Sequence, residues 1–284
     1  IFKKLDIGNN NVIKKLLFKY KPINIVNFAA ETHVDNSIKN ISSFIDTNIV
    51  STVNFFYNCM NYHKKINKKK FRFIHISTDE VYGSLSKKEK SFSELSNYSP
   101  NNPYSATKAS GDHFARALFK TFKFPIIISN CSNNYGPYQH TEKLIPLIIK
   151  RCLQKRKIPI YGKGDNIRDW LHVDDHCAAI YKILKAGIIG EKYNIGGTEE
   201  TTNIKIVKSI CKYFEKFYNK EFQYTDLITF VEDRKGHDFR YSINFQKIKR
   251  LGWHPKISLE NGLKETVSWY LNNTKWLKTI SKKK

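Results

Sequence analysis

Three short apolar runs, residues 23–29, 71–78 and 125–131, alternate with segments of helical periodicity near 10–20, 42–63 and 104–122. Strand and helix in strict alternation are the signature of a parallel sheet with crossover helices. The runs are rich in Ile, Val and Phe, which suits strands covered on both faces. Such a sheet also dictates where function sits, because ligands collect beyond the carboxyl ends of its strands. Ala29-Ala30-Glu31-Thr32, Ser77 to Glu80 and Asn130 to Gly136 all stand at those ends. Three separate segments therefore converge on one crevice. Beyond about Gly136 the pattern loosens into shorter pieces, with turns at Gly162-Lys163-Gly164 and Gly196-Gly197. Helices are expected near 142–155, 203–217 and 258–271, and a strand near 192–196. The fold class is α/β: a doubly wound parallel sheet over residues 1–140, interleaved with a smaller lobe over 141–284.

The chemistry concentrates at two places. Ser77-Thr78-Asp79-Glu80 closes the second apolar run with a hydroxyl and two adjacent carboxyls, and Tyr104 stands four residues before Lys108. Tyr/Lys spacing of four also occurs at Tyr181/Lys185, so spacing alone proves nothing in a chain this rich in lysine. Context separates the pairs. Asn101-Asn102-Pro103 reads as a helix start, with a capping Asn and Pro at the first helical position, which sets Tyr104 and Lys108 on one face. Tyr181/Lys185 lies in an ordinary amphipathic pattern. A cation near a phenol lowers a pKa that starts near ~10 and makes the tyrosine a base.

The formal charge of +24 invites a nucleic-acid reading. The lysines are scattered rather than gathered on one face, apart from Lys68-Lys69-Lys70, Lys87-Lys88 and Lys282-Lys283-Lys284. A solvated basic surface without a nucleic-acid partner is the expectation. No run approaches the ~18 apolar residues of a membrane span. Five widely spaced cysteines without a Cys-x-x-Cys fit reduced thiols in a cytoplasmic protein. His172-Val173-Asp174-Asp175-His176-Cys177 lacks a second ligand set, so no metal is expected; its acids suit the first turn of a helix.

Ile76 to Gly83, Pro103 to Lys108, Asn130 to Pro137 and Ile167 to His176 together resemble, in order, the dTDP-glucose 4,6-dehydratases. These are extended short-chain dehydrogenase/reductases with a Rossmann-like sheet, and the likeness runs from Asp6 to about Trp276. The resemblance implies a lyase that takes dTDP-glucose to dTDP-4-keto-6-deoxyglucose and water, with NAD as transient hydride carrier. It assigns Tyr104 as base for the sugar 4-hydroxyl, Lys108 to the nicotinamide ribose and Thr78 to a sugar oxygen. Glu80 would take the carbon-5 proton, and Asp79 would protonate the departing 6-hydroxyl. Asp6, Ile7, Phe28, Ala29, Ala30, Glu31, Thr32, Thr47 and Asn134 would line the cofactor, with Thr32 where serine is usual. Asn133, Lys143, Leu144, Pro159, Ile160, Tyr161, Arg168, Asn203, Asp233, Arg234, Lys235, Gly236 and His237 would contact the nucleotide sugar, together with Thr32. Lys235 replaces a common proline, which frees its φ. Arg168 and Arg234 carry the guanidinium fork suited to a diphosphate.

The same resemblance calls for a glycine-rich turn near the start of the chain. No Gly-x-x-Gly-x-x-Gly precedes residues 23–28, so the first βαβ unit is expected to be absent and the chain to be part of a longer enzyme. A polypeptide truly beginning at Ile1 would bind its cofactor weakly. A homodimer through helices 42–63 and 104–122 is implied. A UDP-glucose 4,6-dehydratase, another nucleotide-sugar epimerase or decarboxylase, and an inactive remnant remain the alternatives.

Overall fold

The computed structural model describes residues 1–66, 68 and 70–282. Lys69, Lys283 and Lys284 of the lysine clusters lie outside them. Along the chain, α1 (Asn10–Tyr20) leads into β1 (Asn24–Asn27), followed by α2 (Val34–Lys39), α3 (Ile41–Phe44) and α4 (Thr52–Ile66). Next come β2 (Arg72–Thr78), α5 (Pro103–Phe122), β3 (Ile126–Cys131) and β4 (Asn133–Tyr135). The later half holds α6 (Leu144–Leu153), β5 (Ile158–Tyr161), β6 (Ile167–His172), α7 (Val173–Ala186), β7 (Lys192–Ile195) and β8 (Glu200–Thr202). It ends with α8 (Asn203–Phe217), β9 (Ile228–Val231), α9 (Gln246–Lys249), α10 (Leu259–Asn272) and α11 (Thr274–Lys282).

The main sheet runs β1-β2-β3-β7, parallel throughout, with Ser77 beside Asn130 and Asn130 beside Asn194. Its central strands alternate between two dry faces. Phe73, Ile126 and Ile128 face Leu17 of α1, Phe56 of α4 and Leu118 of α5, while Ile74, Ile76 and Ile127 face Ala179 and Ile183 of α7 and Ile248 of α9. Helices on both faces make the sheet doubly wound, as the alternation of runs predicts. A third core joins α6, α8 and α10 around Ile148, Phe214 and Tyr270. Two small sheets serve this part of the molecule: β4-β6-β8, with β8 antiparallel to β6, and the parallel pair β5-β9.

The single helix expected over 42–63 is interrupted. Residues Ile45–Ser51 form a π-helical stretch between α3 and α4. There Asn48 turns inward: its amide oxygen accepts from the Glu31 amide at 2.9 Å, and its nitrogen donates to the Glu31 carbonyl at 3.0 Å and Thr107 Oγ1 at 3.0 Å. The Thr52 hydroxyl closes the widened turn by donating to the Thr47 carbonyl, 3.0 Å. A π-bulge of this kind re-aims one side chain without ending the helix.

Candidate active site

At the end of β2 the Thr78 side chain caps a short 3₁₀ turn, Asp79–Tyr82, by accepting the Glu80 amide at 3.2 Å. The cap fixes the two acids side by side at the sheet's carboxyl edge. Opposite them, α5 begins as its sequence predicts: Asn102 accepts the Ser105 amide at 2.9 Å and Pro103 occupies the first turn. Tyr104 and Lys108 then point inward, both buried. The Lys108 ammonium donates to the Ile76 carbonyl at 2.7 Å, and the Thr78 hydroxyl donates to Asp79 Oδ1 at 3.3 Å. Thr78, Asp79, Glu80, Tyr104 and Lys108 thus come from two elements to one place.

Electrostatics separates the acids. Burial pushes Asp79 well above the usual carboxylate range, and the neighbouring Glu80 and Asp169 carboxyls add to it. Its Oδ2 is buried without a hydrogen-bond partner among the described residues. Burial raises Glu80 too, but Arg168 and Lys143 oppose that rise. Both carboxyls are thereby raised, Asp79 well above the usual range, and only at Glu80 do neighbouring cations work against the rise, a difference of surroundings of the kind that sets two acids to different tasks. The phenol departs from the sequence expectation. Burial, then the Glu80 charge, pushes Tyr104 well above its ordinary value, and Lys108 is held below its own by burial. A lysine one turn away does not by itself make a phenolate here.

A cavity of about 280 Å³ opens beside the acids. Glu80 lines it, as do Asn133, Leu144, Pro159, Ile160 and Tyr161. Arg168, Asn203, Arg234, Gly236 and His237 complete the expected lining. Amide oxygens of Asn133, Asn134 and Asn203 are buried with no partner among the described residues, as in a site shaped for a ligand with donor groups. Five expected contacts, Thr32, Thr78, Lys143, Asp233 and Lys235, sit off the lining. Lys143 donates to the Thr32 carbonyl at 2.6 Å, Asp233 pairs with His237 Nδ1 at 2.6 Å, and Lys235 stands in the turn before Gly236, whose φ is +64°.

Neither arginine presents a free fork. Arg168 donates to the carbonyls of Ile167, Asp238 and Phe239 and stacks 4.2 Å over the Tyr241 ring. Arg234 Nε lies 2.6 Å from Asp35 Oδ1, and Tyr161 donates to Asp35 Oδ2 at 3.1 Å. Asp238 lines the cavity too, and so do Asp35 and Tyr241, which had not been singled out in the sequence. The Tyr241 hydroxyl donates to Asp238 at 2.6 Å and stands 3.4 Å from Glu80 Oε2. Its nearness to the Asp233–His237 segment was the available signal; Asp35 offered none.

Along the other side of the sheet edge, Phe28, Ala29, Glu31 and Thr32 are exposed and Ala30 is half-buried, in the segment that Asn48 brackets. Asn27 Nδ2 and His176 Nε2 are buried there without partners among the described residues. Asp6 is exposed and accepts the Gly8 amide at 2.7 Å, just ahead of α1, while Ile7 and Thr47 are half-buried. An exposed segment beside unpartnered buried polar atoms is where the expected cofactor residues gather. Among the described residues no three His, Cys, Asp or Glu side chains are placed to hold a metal, and no helix is long and apolar enough to cross a membrane.

A doubly wound sheet with a Tyr/Lys pair and acids at its carboxyl edge defines an extended short-chain dehydrogenase/reductase. The family model described as GDP-mannose 4,6 dehydratase matches residues 1–266. The dTDP-glucose 4,6-dehydratase of Haemophilus influenzae is 49% identical over 96% of this chain and 83% of its own length. The crystal structure of the Bacillus anthracis dTDP-glucose 4,6-dehydratase in complex with NAD superposes with a TM-score of 0.84 at 43% identity, over 98% of this chain and 82% of that one. That of the Streptomyces venezuelae enzyme, also with NAD, gives 0.89 at 40% identity, over 97% and 81%. The chain belongs to the GDP-mannose 4,6 dehydratase family, in the branch of the dTDP-glucose 4,6-dehydratases.

Proposed function

We propose that this protein removes water from dTDP-glucose to give dTDP-4-keto-6-deoxyglucose, with NAD as a hydride carrier that ends as it began. The observation that carries this reading is the pair Asp79 and Glu80, adjacent at the end of β2 and both raised by burial, Asp79 well above the usual carboxylate range and Glu80 against the opposition of Arg168 and Lys143. The relatives named above at 40% identity and more act on the same substrate by name. Phe28 to Thr32, Asp6, Ile7, Thr47 and Asn134 would hold the dinucleotide, with Lys108 at its ribose. NAD+ held there would supply a reversible hydride acceptor for carbon 4 and carbon 6 and a positively charged ring beside Tyr104.

The chain's own groups move the protons. Tyr104 accepts the proton of the 4-hydroxyl; its raised pKa makes it dependent on a nearby positive charge to do so. Thr78 orients the same oxygen. The 4-ketone acidifies carbon 5, and Glu80 removes that proton. Asp79, kept in its acid form, gives its proton to the departing 6-hydroxyl. Arg168 and Arg234 face the cavity as the cations for a diphosphate, with Asn133, Asn203, Lys143 and His237 around them. The Arg234–Asp35 pair must share or exchange its guanidinium contacts when an anion enters.

Two structural readings belong with this function. The cofactor side comprises residues 1–140 with β7, α7 and α9 added, and most of the remainder of 141–284 forms the sugar-nucleotide lobe. A homodimer through α4 and α5 is supported by Tyr57, Phe114 and Phe122, exposed apolar side chains on those helices. Product analysis with dTDP-glucose and UDP-glucose, each supplied with NAD, tests the assignment. Faster conversion of the uridine sugar would overturn the thymidine choice, and conversion of neither would overturn the activity.

A further inference from the structure

We propose that Asp112 is a positioning residue for the Tyr104/Lys108 pair: its carboxylate is the buried counter-charge that keeps the Lys108 ammonium in place, and it ties α5 to the ends of β2 and β3. The inference rests on the reaction proposed above. Asp112 lies on the same face of α5, one turn beyond Lys108 and two beyond Tyr104, and is only 2% exposed. A carboxylate is almost never buried so deeply without partners.

Its Oδ2 accepts three hydrogen bonds, from Ser77 Oγ at 2.9 Å, Tyr98 Oη at 2.8 Å and Asn130 Nδ2 at 3.0 Å. The same Asn130 nitrogen donates to the Thr78 carbonyl at 3.1 Å. One oxygen thus links the helix bearing the tyrosine to the strand end bearing the acids. The other oxygen, Oδ1, has no hydrogen-bond partner among the described residues and lies 3.6 Å from His75 Nε2.

Charge explains why an acid stands there. Burial lowers the Lys108 pKa, and Asp112, four residues on along the same face of α5, is the foremost group working against that. The other groups nearby do not substitute for it. His75 of β2 is held well below its ordinary value by burial, so it is neutral, and the Cys131 thiol of β3 is pushed up to about 12. Tyr82 and Tyr98 are raised by burial and uncharged, and Lys192 of β7 is a second cation facing the same carboxylate.

Asp112→Asn isolates the charge. An amide oxygen still accepts from Ser77, Tyr98 and Asn130, and the amide nitrogen faces His75 Nε2, so the fold is expected to survive. In the NAD-loaded enzyme the alkaline limb of kcat should move down by about one pH unit or more, with KM for dTDP-glucose changed less than about twofold. Competitive acetylation of Lys108 across pH, read by mass spectrometry on its peptide, should show the same downward shift. That readout needs no turnover, so it separates this inference from the assigned activity. Tyr98→Phe removes one hydrogen bond and leaves the charge, and should leave both midpoints in place. Asp112→Glu keeps the charge and should retain the alkaline limb even at lower kcat, which carries the test if Asp112→Asn does not fold. Unmoved midpoints in Asp112→Asn, an equal shift in Tyr98→Phe, or a shifted limb in Asp112→Glu would each overturn the proposal.

Discussion

The carboxyl edge of the parallel sheet and the lobe that faces it across the cavity meet opposite electrostatic demands. At the sheet edge Asp79, Tyr104, Lys108 and Asp112 are all buried, and burial is the first cause of the displaced pKa of each. Across the cavity some charged groups keep partners and some water: Arg234 of the lobe and Asp35 of α2 are each 23% exposed, and Asp233, half-exposed, pairs with His237, whereas Arg168 and Asp238 are buried. Groups that must change protonation are desolvated, because only there do small changes in surroundings move a pKa far. Of the cations assigned to a charged ligand, Arg234 stays partly wet and ion-paired, where each contact is worth little alone, while Arg168 is buried and bonded to carbonyls. The two regions should therefore fail differently when altered.

The sharpest way to break this contrast is at the acids. Asp79→Asn with Glu80→Gln should reduce dehydration by roughly 10⁴-fold or more, since each acid–base group contributes roughly 10² to 10⁴. Binding of dTDP-glucose, measured by calorimetry, should change little; a comparable loss of affinity would place both carboxyls in binding instead. Next in size is Asp169, whose acid burial raises from 3.8 to about 7. The folded state then favours the protonated form, so stability falls as pH rises from about 4 to about 7 and is level above that. The three-unit shift is on the order of 4 kcal/mol. Asp169→Asn, whose amide oxygen can still accept the Gly197 amide now held at 2.9 Å, should remove that slope in urea unfolding at pH 5 and 8. A wild-type slope retained in the variant would move the cause elsewhere.

Legibility in the sequence divides along the same line. The sheet edge was readable because its signals are local: an apolar run that ends in Thr78-Asp79-Glu80, and an Asn-Pro pair that starts α5 and aims Tyr104 and Lys108. β4, β5, β6 and β9 carry three to six residues each and too few apolar positions to show a period, so the lobe's strands were not separately visible. The π-helical stretch was hidden for a different reason: Asn48 turns inward to reach Glu31 and Thr107, which lie 17 and 59 residues away. Asp35 and Tyr241 escaped notice in the same way, since what gives them a role is a partner distant in sequence, Arg234 for one and Glu80 for the other. The placement of a pair said little about its energetics. Tyr104 and Lys108 stand where their spacing puts them, but burial outweighs the lysine in setting the phenol.

The lobe predicts smaller effects, expressed in affinity. Arg234→Ala should raise KM for dTDP-glucose by roughly 10- to 100-fold with kcat nearly unchanged, the range for losing charge-assisted hydrogen bonds of ~1.5–3 kcal/mol. An equal fall in kcat would give Arg234 a part in the chemistry and weaken the contrast. The mildest test is Lys235, in the turn before Gly236, whose φ of +64° is the left-handed conformation that the third residue of a type II turn requires. Proline is favoured at the position before such a glycine, because its ring fixes φ near the value the turn already uses. Lys235→Pro should stabilise the protein by ~0.4–1 kcal/mol through the unfolded chain. With the turn stiffened, less ordering remains to be done when the nucleotide sugar binds, and KM should fall slightly while kcat holds. A lower Tm, or a higher KM, would mean that the lysine charge contributes more to ligand binding at this turn than the rigidity its replacement would add.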